Sequence, residues 1–356
     1  MGPLRIAMVV SPWYPVPPAG YGGIEVVAFN LAGELQRRGH HVTVIGREGS
    51  TGPFEVAALA PAEWTGQLGT KDHINRETQF LHRAYEFIRG RAFDVVHDHT
   101  GFVGILLGAL LGHPPAVATL HGDLPGSAYD FLAEVDEEVR LVGISRSQLA
   151  QCPTVEWGGM VYNGVDTSHY RPVAQPREKD DYLFQLARIS PKKGQHISIE
   201  LARRLGVRLV LAGKVDTATV EYFERQVKPH IGQVVEWHEN VSGDVKARLL
   251  ARARAMINPI QWEEPFGLAM VEAMVSGTPV LATNRGSAVE LVEPGVTGWL
   301  ADDVDGLVQA YGRLGEIDPH RCAARAAQRF GLEQMANGYL SVYETARLGQ
   351  QFRKPA

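Results

Sequence analysis

The feature that most constrains the fold is an alternation of short apolar strands and helical patterns that runs, stops and starts again. In the first half, Leu4–Val10, His41–Ile45, Asp94–His97, Ala116–Leu120 and Arg140–Ile144 read as strands. Between them, Ile24–Arg38, Arg76–Arg89, Gly101–Leu111 and Ser127–Glu137 read as helices. Such alternation gives a parallel sheet with helices on both faces. The stretch Asp166–Asp181 then breaks the pattern: it is charged, contains Pro172 and Pro176, lacks periodicity, and reads as a linker. After it come strands Tyr182–Leu186, Arg208–Ala212, Val234–Trp237, Ala255–Asn258 and Pro279–Ala282. The helices of this half are Gln195–Leu205, Thr219–Val227, Val245–Arg254, Phe266–Ser276, Val304–Leu314 and Pro319–Arg329, followed by a last helix over about Leu332–Leu348. The expectation is an α/β chain of two doubly wound domains facing a cleft. Ligands of such sheets bind beyond the carboxyl ends of the strands.

A length of 356 residues fits two domains of ordinary size. Hydrophobic residues at 45% and charged residues at 21% are those of a globular chain. A net charge of −5 argues against a dedicated nucleic-acid binder. Cys152 and Cys322 form neither a C-x-x-C pair nor a disulfide framework, so a reduced, cytoplasmic setting is expected. The start of the chain enters the strand Leu4–Val10 without a signal-peptide apolar region, and Ile6 stands where N-myristoylation requires Ser or Thr. The longest apolar run, near Gly101–Leu111, is too short to span a bilayer, which leaves peripheral membrane contact open.

The chemistry-bearing residues follow strands. Glu264-Pro265-Phe266-Gly267-Leu268 leads into a helical pattern that carries Glu272. A helix starting near Phe266 would aim free N–H groups at an anion, because its first donors have no intrahelical acceptor and the macrodipole adds to them. Carboxylates accept hydrogen bonds from sugar hydroxyls, so a sugar nucleotide suits the arrangement. Arg188 and Lys193 lie on one strand-to-helix turn, where two cations can clamp a diphosphate; Lys192 is expected to face outward. Gly22 and Gly23 open the first helix and would allow close backbone approach to a phosphate or sugar. They are not part of a G-x-G-x-x-G, which disfavours a dinucleotide site. His97, Asp98, His99, His121 and Asp123 cluster after two neighbouring strands. With no H-E-x-x-H and no cysteine partner, they read as hydrogen-bonding groups and not as metal ligands. His121 is the candidate for direct sugar contact, with His97 and His99 structural.

Together these residues resemble the retaining glycosyltransferases of the GT-B fold in the sequence family numbered 4. The resemblance covers nearly the whole chain. Its most specific element is Glu264 and Glu272 with Pro265-Phe266-Gly267-Leu268 and Ala273-Met274, supported by Arg188…Lys193-Gly194, Asn163-Gly164-Val165-Asp166 and Gly22-Gly23. It implies two Rossmann-like domains: residues 1–166, joined by a closing helix over about 335–356 that crosses back to them, and residues 167–334, which bind the donor. Phe330…Met335…Tyr339…Tyr343 looks like that closing segment.

Carried over residue by residue, the resemblance implies that Arg188 and Lys193 grip the donor diphosphate and that Glu264 binds hydroxyls of the transferred sugar. Glu272 would hold the ribose, and His121 the sugar's primary hydroxyl. The backbone N–H groups of Phe266, Gly267 and Leu268 would line sugar and phosphate, with Gly22 and Gly23 near phosphate and acceptor. Trp237, His238 and Glu239 fall in the base-binding stretch, which departs from the family pattern in lacking a glycine. Gly286-Ser287 replaces an expected Gly-Gly pair. The implied reaction moves a sugar, most simply a UDP-linked hexose, to a hydroxyl acceptor with retention at the anomeric carbon and without a metal or other cofactor. A sugar-nucleotide 2-epimerase of the same architecture is the alternative, and a non-catalytic sugar-nucleotide binder a third.

Overall fold

Strand order decides where a ligand can sit in a doubly wound sheet, because the crevice opens where the order reverses. The structure, a computed structural model, describes residues 2–20, 22–124, 126–173 and 179–351. They form two compact units, residues 1–164 with 332–356 and residues 165–331.

The first unit contains β1 (Arg5–Val9), α1 (Gly23–Arg37), β2 (His41–Arg47), β3 (Glu55–Ala60), α2 (His73–Arg89), β4 (Val95–Asp98), α3 (Phe102–Leu111), β5 (Ala116–Thr119), α4 (Ala128–Val135), β6 (Val139–Gly143), α5 (Arg146–Gln151) and β7 (Gly159–Met160). The strands pair in parallel in the order β3-β2-β1-β4-β5-β6-β7, so the reversal lies between β1 and β4. The inner strands are wholly buried runs such as Val95–Asp98 and Ala116–Thr119, as expected of a sheet covered on both faces.

The second unit contains β8 (Tyr182–Leu186), α6 (Gln195–Leu205), β9 (Arg208–Ala212), α7 (Val220–Tyr222), β10 (Val235–His238), α8 (Gly243–Arg252), β11 (Ala255–Asn258), α9 (Leu268–Val275), β12 (Val280–Thr283), α10 (Ala288–Leu291), β13 (Gly298–Ala301), α11 (Val304–Gly312) and α12 (Pro319–Phe330). Its order is β10-β9-β8-β11-β12-β13, with the reversal between β8 and β11. The chain then returns to the first unit through α13 (Leu332–Gln351).

The return is fixed by specific bonds. Tyr339 and Tyr343 on α13 are fully buried. The Tyr339 hydroxyl lies 2.9 Å from Thr119 Oγ1, and the Tyr343 hydroxyl 2.7 Å from His97 Nδ1. Gly164 donates its N–H to the Met335 sulfur at 3.0 Å.

Several elements differ from the sequence reading. Glu55–Ala60, Gly159–Met160 and Gly298–Ala301 are strands that the pattern does not announce; each lies toward a sheet edge, and the first and last contain alanine, a helix former. The expected helix Thr219–Val227 is one short turn, α7, running into a π-helical turn at Phe223–Val227. The stretch Asp166–Asp181 is not simply a linker. Asp166 accepts a hydrogen bond from the N–H of Ser168 at 2.9 Å, Tyr170 is buried, and Lys179 donates to the Ala251 carbonyl at 2.6 Å and Thr278 Oγ1 at 2.5 Å. Both of its ends are therefore folded against the second unit; residues 174–178, like 352–356 of the expected closing segment, lie outside the described residues.

Candidate active site

In the second unit, the loops after β8 and β11 flank the point where strand order reverses. The loop after β8 forms a 3-10 turn at Pro191–Lys193, and the loop after β11 carries Glu264. Lys193 donates its ammonium to Glu264 Oε1, and both side chains are mostly buried. Glu264 Oε2 is buried with no hydrogen-bond partner. A buried carboxylate oxygen without a donor is costly, of order 1–3 kcal/mol, and marks a place where a ligand donor would be welcome.

The Glu264 loop is held from behind. Ser287 donates its N–H to the Glu264 carbonyl at 3.0 Å and its hydroxyl to the Phe266 carbonyl at 2.5 Å. Gly286 donates to Glu263 Oε2 at 2.8 Å, and a Cβ there would stand 2.5 Å from the Glu264 nitrogen. This close approach accounts for the retained Gly286, while the departure from a Gly-Gly pair falls at Ser287, whose hydroxyl bonds the Phe266 carbonyl.

The helix that follows starts at Leu268, two residues later than the pattern implied. Gly267 precedes it in the left-handed region at φ 79°, a conformation that only glycine adopts without penalty. Phe266 therefore belongs to the loop, and its side chain is buried edge-on against Phe330 at 6.2 Å. Gly267 and Leu268 stand at the N-terminus of α9, where the first N–H groups lack intrahelical acceptors.

Glu272, one face further along α9, forms a second charged group. Its Oε1 accepts from Lys246 Nζ on α8 at 2.6 Å and from the Tyr170 hydroxyl at 2.9 Å. Burial and the adjacent carboxylate push the Tyr170 phenol well above its ordinary value, so it stays a donor. Arg188 stands apart from this burial. It is about half exposed and bonds Asp216 at 3.0 Å. Lys214, in the same loop region, lies 3.8 Å from that carboxylate.

The stretch expected to bind the base is divided. Trp237 packs on Phe223 at 4.7 Å and donates its one N–H to the Gly213 carbonyl at 3.1 Å, which engages it in the core of the unit. His238 pairs with Glu236 at 2.8 Å, and Glu239 is exposed. The sequence reading missed Trp262, Lys246 and Tyr170. Lys192 and Lys193 lie 5.0 and 5.3 Å from the Trp262 ring centre, and the buried Trp262 N–H has no partner. Only Trp262 carried a signal, two residues before Glu264; Lys246 and Tyr170 are brought in by α8 and by the turn after Asp166.

In the first unit, Gly22 precedes α1 and Gly23 is its first residue. On the same turn, Glu25 is buried and accepts a hydrogen bond from Ser11 Oγ at 3.0 Å; burial pushes its carboxyl up. The histidines gather at the ends of β4 and β5. His97 bonds Tyr343 and Thr119, the latter at 2.8 Å, while His99 Nδ1 and His121 Nε2 are 2.8 Å apart. Burial holds His97 and His99 well below the ordinary imidazole value and pushes His121 down to about 4. All three are thus neutral near pH 7. Among the described residues, no group of three or more His, Cys, Asp or Glu side chains is arranged to hold a metal, and no helix is long and apolar enough to cross a membrane.

Two family models match the chain: Glycosyltransferase Family 4 over residues 21–150 and Glycosyl transferases group 1 over residues 166–324. Over 97% of its length the chain is 26% identical to D-inositol 3-phosphate glycosyltransferase of Mycolicibacterium paratuberculosis, of which it covers 91%. It is 27% identical to the protein of that name from Mycobacterium bovis, covering 84% of it. Among solved structures, AviGT4, a glycosyltransferase involved in avilamycin A biosynthesis, matches with a TM-score of 0.74 at 28% identity, over 98% of this chain and 99% of that one. Anabaena HepE in complex with UDP-glucose matches with a TM-score of 0.74 over 96% of this chain and 99% of that one; at 19% identity this likeness speaks for the fold alone.

Proposed function

For a chain that belongs to the family 4 glycosyltransferases and has the GT-B fold, we propose retaining transfer of a hexose from a UDP-linked donor to a hydroxyl acceptor. The observation that carries this reading is Glu264 Oε2, buried and unpartnered beside Lys193 at the strand reversal of the second unit. A sugar hydroxyl supplies the donor that this oxygen lacks. The Lys193 ammonium beside it supplies positive charge for a diphosphate. The relatives named glycosyltransferases support the activity, and the UDP-linked donor is the one that the family resemblance implies.

In this reading the bond between the anomeric carbon and the diphosphate oxygen breaks, and the nucleoside diphosphate leaves with the electron pair. Lys193, Arg188 and the N–H groups of Gly267 and Leu268 offset the charge that gathers on it. The acceptor hydroxyl attacks the same face of the oxocarbenium-like carbon and passes its proton to the departing phosphate oxygen. Glu264 orients the sugar, Glu272 accepts from the ribose hydroxyls, and His121 contacts the sugar's primary hydroxyl. Gly22 and Gly23 serve the phosphate and acceptor side, and His238 and Glu239 the base. No metal is needed when protein cations balance the leaving group, so turnover should persist in EDTA.

A donor screen read by product mass spectrometry tests the reading, with each nucleotide sugar offered with and without sugar-alcohol and glycoside acceptors. Acceptor-dependent glycoside formation from an α-linked donor, with an α anomeric proton coupling, is expected. A β-linked first product would sink the retaining mechanism. Isomerised donor without acceptor would point to the 2-epimerase, which the glycosyltransferase names of the relatives disfavour.

A further inference from the structure

The histidines after β4 and β5 are arranged so that one of them decides where the other carries its proton. His99 Nδ1 faces His121 Nε2 at 2.8 Å. Two neutral imidazoles can share such a bond only if one of the facing nitrogens is protonated and the other is bare. Two arrangements satisfy this. If His99 Nδ1–H donates, His121 Nε2 accepts and the His121 proton sits on Nδ1. If His121 Nε2–H donates, His99 Nδ1 is bare and the His99 proton sits on Nε2.

The surroundings separate the two. His99 Nε2 is buried and has no hydrogen-bond partner. The second arrangement would strand an N–H there, whereas the first leaves only a bare ring nitrogen. In folded proteins an orphaned buried N–H is the rarer defect. The ring cannot readily turn to escape the choice. His99 lies against His97 with ring centres 4.0 Å apart and against His121 at 5.2 Å. His97 is itself pinned by Tyr343 and Thr119, and Thr119 by Tyr339. Among the described residues His121 Nδ1 has no hydrogen-bond partner, and His121 is partly exposed.

We propose that His99 is a positioning residue that holds His121 in the Nδ1–H tautomer, so that His121 offers a hydrogen-bond donor to an oxygen of the transferred sugar. The inference rests on the reading of His121 as a sugar contact. It adds a polarity to that contact: the site selects a substrate oxygen able to accept at this point. The buried chain from α13 through His97 keeps the pair rigid.

Long-range proton–nitrogen NMR of the imidazoles in the whole protein at neutral pH tests it without any turnover. His121 Nδ1 should show the shift of a protonated ring nitrogen and Nε2 that of a bare one, with His121 assigned from His121→Gln. A bare Nδ1 in the wild type would overturn the proposal, even if His99 variants fail to fold. With UDP-glucose as probe and UDP release as readout, His99→Phe should lower kcat/KM about three- to tenfold, the size of one lost neutral hydrogen bond. UDP affinity should not change. His99→Asn, which restores an N–H at that place, should recover most of the loss; equal loss in both variants would reduce His99 to packing and overturn its positioning role. A protonated Nδ1 in a protein that consumes no nucleotide sugar would uphold the tautomer and instead refute the proposed transfer.

Discussion

The Lys193 ammonium bonds one oxygen of Glu264 while the other, Oε2, lies buried without a partner. The pair therefore joins a satisfied charge to an unsatisfied acceptor, and its two members should respond differently to substitution.

Lys193→Ala should lower kcat/KM by about 100-fold or more, the loss typical of a preorganised charge stabiliser. It should also lower the melting temperature, because it leaves a buried carboxylate unpaired. Arg188→Ala should cost activity with little change in melting temperature, since Arg188 is about half exposed and its partner Asp216 remains hydrated. Scanning calorimetry beside steady-state kinetics checks the pair; equal thermal losses would contradict the burial argument.

Titration with UDP should separate the two carboxylates. Glu272→Gln is expected to weaken UDP binding more than Glu264→Gln, and Glu264→Gln to lower kcat more than affinity. Tyr170→Phe should weaken UDP binding by only about three- to tenfold, because Lys246 still bonds Glu272 Oε1. A larger effect of Glu264→Gln on UDP affinity would exchange the two roles.

The histidines after β4 and β5 make stability depend on pH. His121 is pushed down to about 4 in the folded protein, and His97 and His99 are also held well below 6.5, each by burial. Between about pH 6.5 and 4 the unfolded chain binds these protons and the native chain does not, so stability should fall as the pH falls through that window. Each such histidine contributes a slope of about 1.4 kcal/mol per pH unit. His121→Gln should flatten the slope by one proton, read from denaturant midpoints at pH 5 and 7. An unchanged slope would mean that His121 is protonated in the native state.

Tyr343→Phe removes the hydroxyl at 2.7 Å from His97 Nδ1 and leaves that buried nitrogen unpaired. A loss of about 1–3 kcal/mol in unfolding free energy is expected, with no change in UDP affinity. Urea unfolding measures it.

The two runs of strands and helices were legible because buried parallel strands such as Ala116–Thr119 and Val280–Thr283 are largely apolar runs with helices between. Glu55–Ala60 was not, since an alanine-rich edge strand satisfies no strong period. The start of α9 was misplaced by two residues because a left-handed Gly267 at its N-cap leaves no side-chain signal. Glu264, Lys193 and Glu272 stand out by motif, but the Lys193–Glu264 bond depends on β8 and β11 being neighbours, a fact of topology. The His99–His121 bond depends likewise on the pairing of β4 with β5. Trp237 lies in the stretch that the sequence reading expects to bind the base, and its indole N–H is engaged by the Gly213 carbonyl, a bond that only the fold reveals.

The return of α13 to the first unit has a consequence for synthesis on the ribosome. The second unit is one continuous stretch of chain, complete once residue 331 has emerged. The first unit, begun earlier, has no partner for His97 Nδ1 until Tyr343 leaves the exit tunnel, after the whole second unit. The unit translated first is thus finished after the one that follows it, and a messenger truncated just after the codon for Gly331 would leave the first unit incomplete and the second whole.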